Sequence, residues 1–194
     1  MNRLCIAGYM GAGKTTVAGR IAAGRIRVID ADSEAKIMMT KERDLAALIV
    51  EAFGESVLEA GSLSFTRLGH IVFSSKERLL RLNDIVHPPL ILRLRRLVES
   101  SDENGCILDA ALAPLWGIEA WFSSCIWVEA DRDVRLRRLH LKMPYLDENK
   151  ILERMDLQEE TIVVPRVPSW KRMINNGSLE ELAKMLLQSG FPPQ

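Results

Sequence analysis

Short apolar runs alternate with longer stretches in which apolar residues recur at helical spacing. The runs Leu4–Ala7, Arg27–Asp30, Cys106–Asp109 and Cys125–Glu129 predict strands, and a shorter strand is expected near Arg172–Ile174. Strands alternating with helices predict an α/β fold: a five-stranded parallel sheet flanked by helices. The longest excursion lies between the second and third strands, from 33 to 103. Leu45, Leu48, Ile49 and Phe53 repeat at helical spacing there, followed by Leu79, Leu80, Leu82 and Val86. Pro88-Pro89 interrupts the pattern, and Ile91, Leu92, Leu94 and Leu97 resume it. The expectation is an all-helical insertion at the carboxyl edge of the sheet, where open α/β folds bind ligands.

A second excursion, 131–160, reads as two helices joined near Met143-Pro144-Tyr145, with Asp131 a candidate N-cap. Its first helix carries Arg132, Arg135, Arg137, Arg138 and Lys142. Such a basic helix is either a solvated face or a short lid that brings positive charge to a phosphoryl group.

The chain has 194 residues, enough for a single compact domain covering 1–194. Apolar residues make up 47%, and 26 basic side chains balance 26 acidic ones. That balance supplies no overall basic field, so no nucleic-acid partner is expected. Cys5, Cys106 and Cys125 sit in apolar, strand-like runs without a CxxC pair, which suits small core residues in a reducing cytoplasm. Neither a signal peptide nor a membrane-spanning stretch is expected.

Chemistry enters at Gly8-Tyr9-Met10-Gly11-Ala12-Gly13-Lys14-Thr15, which fits the phosphate-loop pattern G-x-x-x-x-G-K-[ST]. The predicted strand precedes it, and a helical pattern from Thr15 to Arg25 follows. In this setting Gly11, Ala12, Gly13, Lys14, Thr15 and Thr16 present backbone N–H groups and a helix N-terminus to phosphate. Lys14 adds a charge for the β/γ-phosphates of ATP, and the Thr15 hydroxyl can ligate Mg²⁺. Phosphoryl transfer also needs carboxylates. The second strand ends Asp30-Ala31-Asp32, and alternation puts Asp30 and Asp32 on one side if the extended run continues. The third strand ends at Asp109, which resembles a Walker B ending and would place that carboxylate near the metal. An aspartate after a strand can also be an ordinary turn or cap residue.

Several segments together resemble the dephospho-CoA kinase family, in order and with similar spacing from residue 4 to about 180. They are Gly8–Ala18, Val28-Ile29-Asp30-Ala31-Asp32, Phe53-Gly54 with Gly61-Ser62-Leu63 and Arg67-Leu68, Ile71-Val72-Phe73, Leu82-Asn83-Asp84-Ile85-Val86-His87-Pro88, and Ile174-Asn175-Asn176-Gly177-Ser178. The resemblance implies a P-loop kinase fold that phosphorylates the ribose 3′-hydroxyl of dephospho-CoA with MgATP. It implies Asp32 as the base, Lys14 and Thr15 on the phosphates and Mg²⁺, and Arg67 and His87 on the acceptor wall. Arg138 and Lys142 become lid cations, and Asn175 or Asn176 would lie near the adenine. With the residue reading above, 33–103 is expected to bind the acceptor, 131–160 to be the lid, and Asp109 to serve both acceptor and metal. The chain departs from the family pattern after Asp109, where Ala110-Ala111-Leu112-Ala113-Pro114 displaces the usual proline, and at Lys142, commonly arginine. Two other readings stay open: a shikimate- or gluconate-kinase-like enzyme, and a nucleotide-binding regulatory protein with weakened catalysis.

Overall fold

The structure is a computed structural model that describes residues 3–165 and 168–188. Strand β1 (Arg3–Gly8) leads through a glycine-rich loop into helix α1 (Lys14–Ala22) and strand β2 (Arg27–Asp30). Helices α2 (Ala31–Lys41) and α3 (Arg43–Phe53) follow, then a 3-10 turn (Glu55–Val57) and two short strands, β3 (Leu58–Glu59) and β4 (Ser62–Leu63). Helix α4 (Phe65–Val72) and the long α5 (Lys76–Glu99) lead back to strand β5 (Cys106–Asp109). The remainder is α6 (Ala113–Trp116), β6 (Ser124–Glu129), α7 (Arg132–Lys142), α8 (Glu148–Thr161), β7 (Trp170–Ile174) and α9 (Leu179–Gln188).

The chain divides into two compact units, Met1–Asp30 with Leu97–Gln194, and Ala31–Arg96. In the first, five parallel strands lie in the order β2-β5-β1-β6-β7. All four residues of β5 and most of β1 and β6 are buried, as their apolar runs require of strands covered on both faces. On one face Leu4, Ile6, Ile126 and Val128 pack with Val17, Ala18 and Ile21 of α1 and Leu182 and Leu186 of α9. Each large aliphatic side chain buried there contributes about 1.5–3 kcal/mol. This packing fixes the root of α1, and so the loop before it, over the central strand. The strands match the sequence expectation, except that β7 begins earlier, at Trp170, whose indole N–H donates to Glu119 Oε1 at 2.9 Å.

The α7–α8 hairpin has its own small core of Leu139, Ile151 and Met155, joined by Met10, Leu136 and Met143. Arg132 pairs with Asp156 and Glu159, and Arg135 with Glu159. Asp131 occupies the N-cap position of α7, but its side chain makes no cap bond. Its own N–H donates to Asn176 Oδ1 at 2.7 Å. The cap of α8 is Asp147, which accepts from the Lys150 N–H at 2.9 Å.

The second unit is not all helical. The strands β3 and β4 form a hairpin whose Ala60-Gly61 turn has φ of 48° and 78°. Positive φ at both turn positions matches the twist of a tight hairpin and favours glycine. Nor do Pro88-Pro89 end the helix: α5 runs through them. Each interior proline costs about 3 kcal/mol through a missing N–H and a ring clash. Val86, Leu90 and Leu94, at i, i+4, i+8, are all buried, and about 1.5–3 kcal/mol from each offsets much of that cost. The extended run after β2 does not continue either. Helix α2 starts at Ala31, with Asp32 and Glu34 in its first turn, where carboxylates favour the positive helix end.

Candidate nucleotide-binding site

The loop between β1 and α1 leaves the centre of the sheet at its carboxyl edge. Ala12 N–H turns back to Tyr9 O at 3.1 Å, and Gly11 and Gly13 have φ of 77° and 94°. Neither glycine could carry a side chain. A β-carbon on Gly11 would lie 2.8 Å from Arg135 O, and one on Gly13 would strike the Asn175 amide. The first bond of the following helix runs from Val17 N–H to Gly13 O at 3.0 Å. The N–H groups of Lys14, Thr15 and Thr16 therefore precede the helical ladder, with no acidic residue in that turn. This is the arrangement that binds an anion at a helix N-terminus. The half-buried Lys14 ammonium donates to Tyr9 O at 3.4 Å, inside the same loop.

The acidic partner is Asp109, 5% exposed at the end of β5. The Thr15 hydroxyl donates to its Oδ2 at 2.7 Å. Register pairs Asp109 with Ile6 on one side and with Asp30 on the other, so two carboxylate residues end adjacent strands. Among the described residues no group of three or more His, Cys, Asp or Glu could hold a metal alone. The hard oxygens of Thr15 and Asp109 nonetheless fit Mg²⁺, an ion usually held by one or two protein oxygens together with substrate phosphates.

The loop is gripped from behind. Asn175, 4% exposed just after β7, donates from Nδ2 to Ala12 O at 2.8 Å, and its own N–H donates to Glu129 O at 2.7 Å. Arg138 Nη1 reaches Gly11 O and Ala12 O at 3.4 Å each, and Nη2 reaches Gly177 O at 3.3 Å. Burial and the neighbouring Arg137 pull the Arg138 guanidinium below its ordinary pKa. On the other flank Met10 N–H donates to Gln158 Oε1 at 2.6 Å, and the Tyr9 hydroxyl to Ile162 O at 2.9 Å. The Arg135 guanidinium lies 5.1 Å over the Tyr9 ring, and Trp127 meets that ring edge-on at 5.1 Å. Burial and Glu159 push the Tyr9 phenol above its ordinary value.

A cleft of about 340 Å³ opens beside Tyr9, Trp127 and Arg135. Its walls also carry Glu129, Asp131 and Glu159, of which Glu129 pairs with Arg172 and Glu159 with both Arg132 and Arg135.

Of the residues singled out by sequence, Gly11, Ala12, Gly13, Lys14, Thr15, Asp109, Arg138 and Asn175 meet at or against the loop. Thr16 is exposed in the first turn of α1, Asn176 is bonded to Asp131, and Lys142 is exposed at the end of α7. Asp32, Arg67 and His87 belong to the second unit. Asp32 is exposed in α2, and Arg67 donates to Leu58 O and pairs with Glu59 at 3.3 Å. His87 is half-buried, and desolvation lowers its pKa while Asp84 opposes the shift. Sequence reasoning did not single out Gln158 or Tyr9. A glutamine in a polar helix carries no motif, and the residue after the first loop glycine is unspecified in the phosphate-loop pattern.

The family model for dephospho-CoA kinase matches residues 3–181. A dephospho-CoA kinase of Geobacillus kaustophilus is 30% identical over 189 residues, covering 94% of this chain and 92% of that one. One from Corynebacterium glutamicum is 32% identical over 187 residues, covering 94% of each. A Thermus thermophilus protein of known crystal structure superposes with a TM-score of 0.71 at 26% identity, over 97% of this chain and 95% of that one. A shikimate kinase from Bacteroides thetaiotaomicron shares the fold, with a TM-score of 0.52 at 16% identity. With a phosphate loop closed by Thr15 and Asp109, and a family match over nearly its whole length, the chain belongs to the dephospho-CoA kinase family.

Proposed function

We propose that this protein transfers the γ-phosphoryl group of ATP to the ribose 3′-hydroxyl of dephospho-CoA, giving CoA and ADP, the last step of coenzyme A biosynthesis. The observation that carries the reading is the Thr15–Asp109 bond at the mouth of a phosphate loop, in a chain that matches this family across residues 3–181. The loop from Gly11 to Thr16 holds the β- and γ-phosphates through the Lys14 ammonium and the N–H groups that precede the helical ladder, while the Ala12 N–H stays bonded to Tyr9 O and shapes the turn. Asp32 orients the ribose hydroxyl and accepts its proton as the new O–P bond forms. The bond from Pγ to the bridging oxygen breaks, and ADP carries that electron pair away. Thr15 and Asp109 would hold Mg²⁺, which when bound would neutralise phosphate charge.

Within this reading 33–103 carries the acceptor, with Arg67, His87 and Asp109 among its contacts, and 131–160 acts as a lid. Arg138 and Lys142 supply the lid's positive charge. Arg138 contributes by holding loop carbonyls as well as by its charge. Asn175 and Asn176 flank the adenine end. Exclusion of water by the lid prevents idle ATP hydrolysis. The three cysteines are free and buried, which suits a reducing cytoplasm. No helix among the described residues is long and apolar enough to cross a membrane.

Incubation with MgATP and dephospho-CoA, followed by mass spectrometry, tests the proposal. CoA forms if it holds. Phosphorylation of shikimate or gluconate in place of dephospho-CoA, or ATP binding without transfer to any acceptor, would contradict it.

A further inference from the structure

Two side-chain amides grip the phosphate loop through opposite ends of their chemistry. Gln158, near the end of α8, uses its oxygen, which accepts the Met10 N–H at 2.6 Å. Asn175, after β7, uses its NH₂, which donates to Ala12 O at 2.8 Å. The partner atoms fix both orientations: a backbone N–H requires an acceptor, and a carbonyl requires a donor. The two bonds span the apex of the loop, with residues 10 and 12 held and Gly11 between them. The Met10 N–H is thereby committed to Gln158 and the Ala12 N–H to Tyr9 O, while the N–H groups of Lys14, Thr15 and Thr16 precede the helical ladder. Asn175 leaves no room for change, because it is 4% exposed and a β-carbon on Gly13 would strike it.

We infer that Gln158 and Asn175 are positioning residues that preset the phosphate loop in its anion-binding shape, so that ATP meets its donors without first ordering them. The cost of ordering a loop is then met in folding instead of on binding. Because Gln158 sits at the root of the α7–α8 hairpin, the same bond ties the hairpin to the loop. The inference rests on the phosphate loop binding ATP.

The two amides make opposite demands, and that makes the inference testable. Gln158→Glu keeps an acceptor for the Met10 N–H, whereas Gln158→Leu removes it. Asn175→Asp replaces the donor with a carboxylate facing a carbonyl, in a buried site against the loop. Steady-state kinetics with ATP and dephospho-CoA varied separately read the outcome. Gln158→Leu is expected to raise KM for ATP by about 5–10-fold, with KM for the acceptor and kcat little changed. Gln158→Glu should stay within about threefold of the wild type. Asn175→Asp should lower kcat/KM for ATP by about 10²-fold or more. If thermal melts show that Asn175→Asp does not fold, Asn175→Ala and the Gln158 pair carry the test. Values of KM for ATP within twofold of wild type in both Gln158→Leu and Asn175→Ala would overturn the inference. So would a Gln158→Glu enzyme as impaired as Gln158→Leu. A wild-type protein that bound no ATP would instead sink the functional reading beneath it.

Discussion

The Thr15 hydroxyl donates to Asp109 Oδ2 across 2.7 Å, joining the first turn of α1 to the end of β5. Asp109→Asn still offers an oxygen to that hydroxyl but removes the charge, so it separates hydrogen bonding from metal binding. The variant should fold normally, lose about 10²-fold in kcat/KM and need more Mg²⁺ for half-maximal rate. Activity against Mg²⁺ concentration, measured beside a thermal melt, checks this. An unchanged Mg²⁺ dependence would remove Asp109 from the metal site.

Asp32 is exposed in the first turn of α2, with room for an isosteric change. Asp32→Asn should lower kcat by at least about 10²-fold, in line with a lost general base, while ATP binding measured by calorimetry stays near normal. Near-wild-type turnover in a folded Asp32→Asn protein would assign the proton to another acceptor.

Desolvation holds the His87 imidazole below its ordinary pKa of 6.5. As pH falls, the unfolded chain therefore binds this proton before the folded one does. Stability falls with pH in the window from about 6.5 down through the lowered folded pKa, by at most about 1.4 kcal/mol per pH unit from this group. Above that window the imidazole is neutral in both states and contributes no slope. His87→Gln, which cannot titrate, should flatten the pH dependence of urea-denaturation stability below about pH 6.5. An unchanged slope would mean that the acid sensitivity arises elsewhere.

Arg135 is 4% exposed, and its Nε and Nη1 find no hydrogen-bond acceptor among the described residues. Its charge is balanced by Glu159 and by the Tyr9 ring. Glu159→Ala leaves that guanidinium buried without its carboxylate and should cost about 3–5 kcal/mol. The double variant Arg135→Met/Glu159→Leu should recover most of the loss, because no uncompensated charge remains. Chemical denaturation of the single and double variants checks the coupling. A double variant no more stable than Glu159→Ala would contradict it.

The core strands and the phosphate loop were legible in the sequence because each carries its own local signal. Apolar runs such as Cys106–Asp109 encode burial on both faces, and the loop needs glycine where φ is positive and another segment presses close. The Ala60-Gly61 hairpin was hidden because strands of two residues have no periodicity to read. The passage of α5 through Pro88-Pro89 was misread because a local penalty was weighed without the burial of Val86, Leu90 and Leu94. Gln158 is harder still: it owes its place to one hydrogen bond with a residue more than a hundred positions away, and no local pattern encodes such a bond; Asn175 stands in a recognisable segment, but its bond to Ala12 O is equally long-range.

The identity of the hydroxyl that receives the phosphoryl group defines the reaction. Phosphorus NMR of the product from ATP and dephospho-CoA, run beside an ADP-release assay, tests it most directly. The expected result is a new phosphomonoester on the ribose 3′-oxygen and one ADP for each dephospho-CoA consumed. ADP release without that phosphomonoester, or a phosphoryl group on any other oxygen, would contradict it.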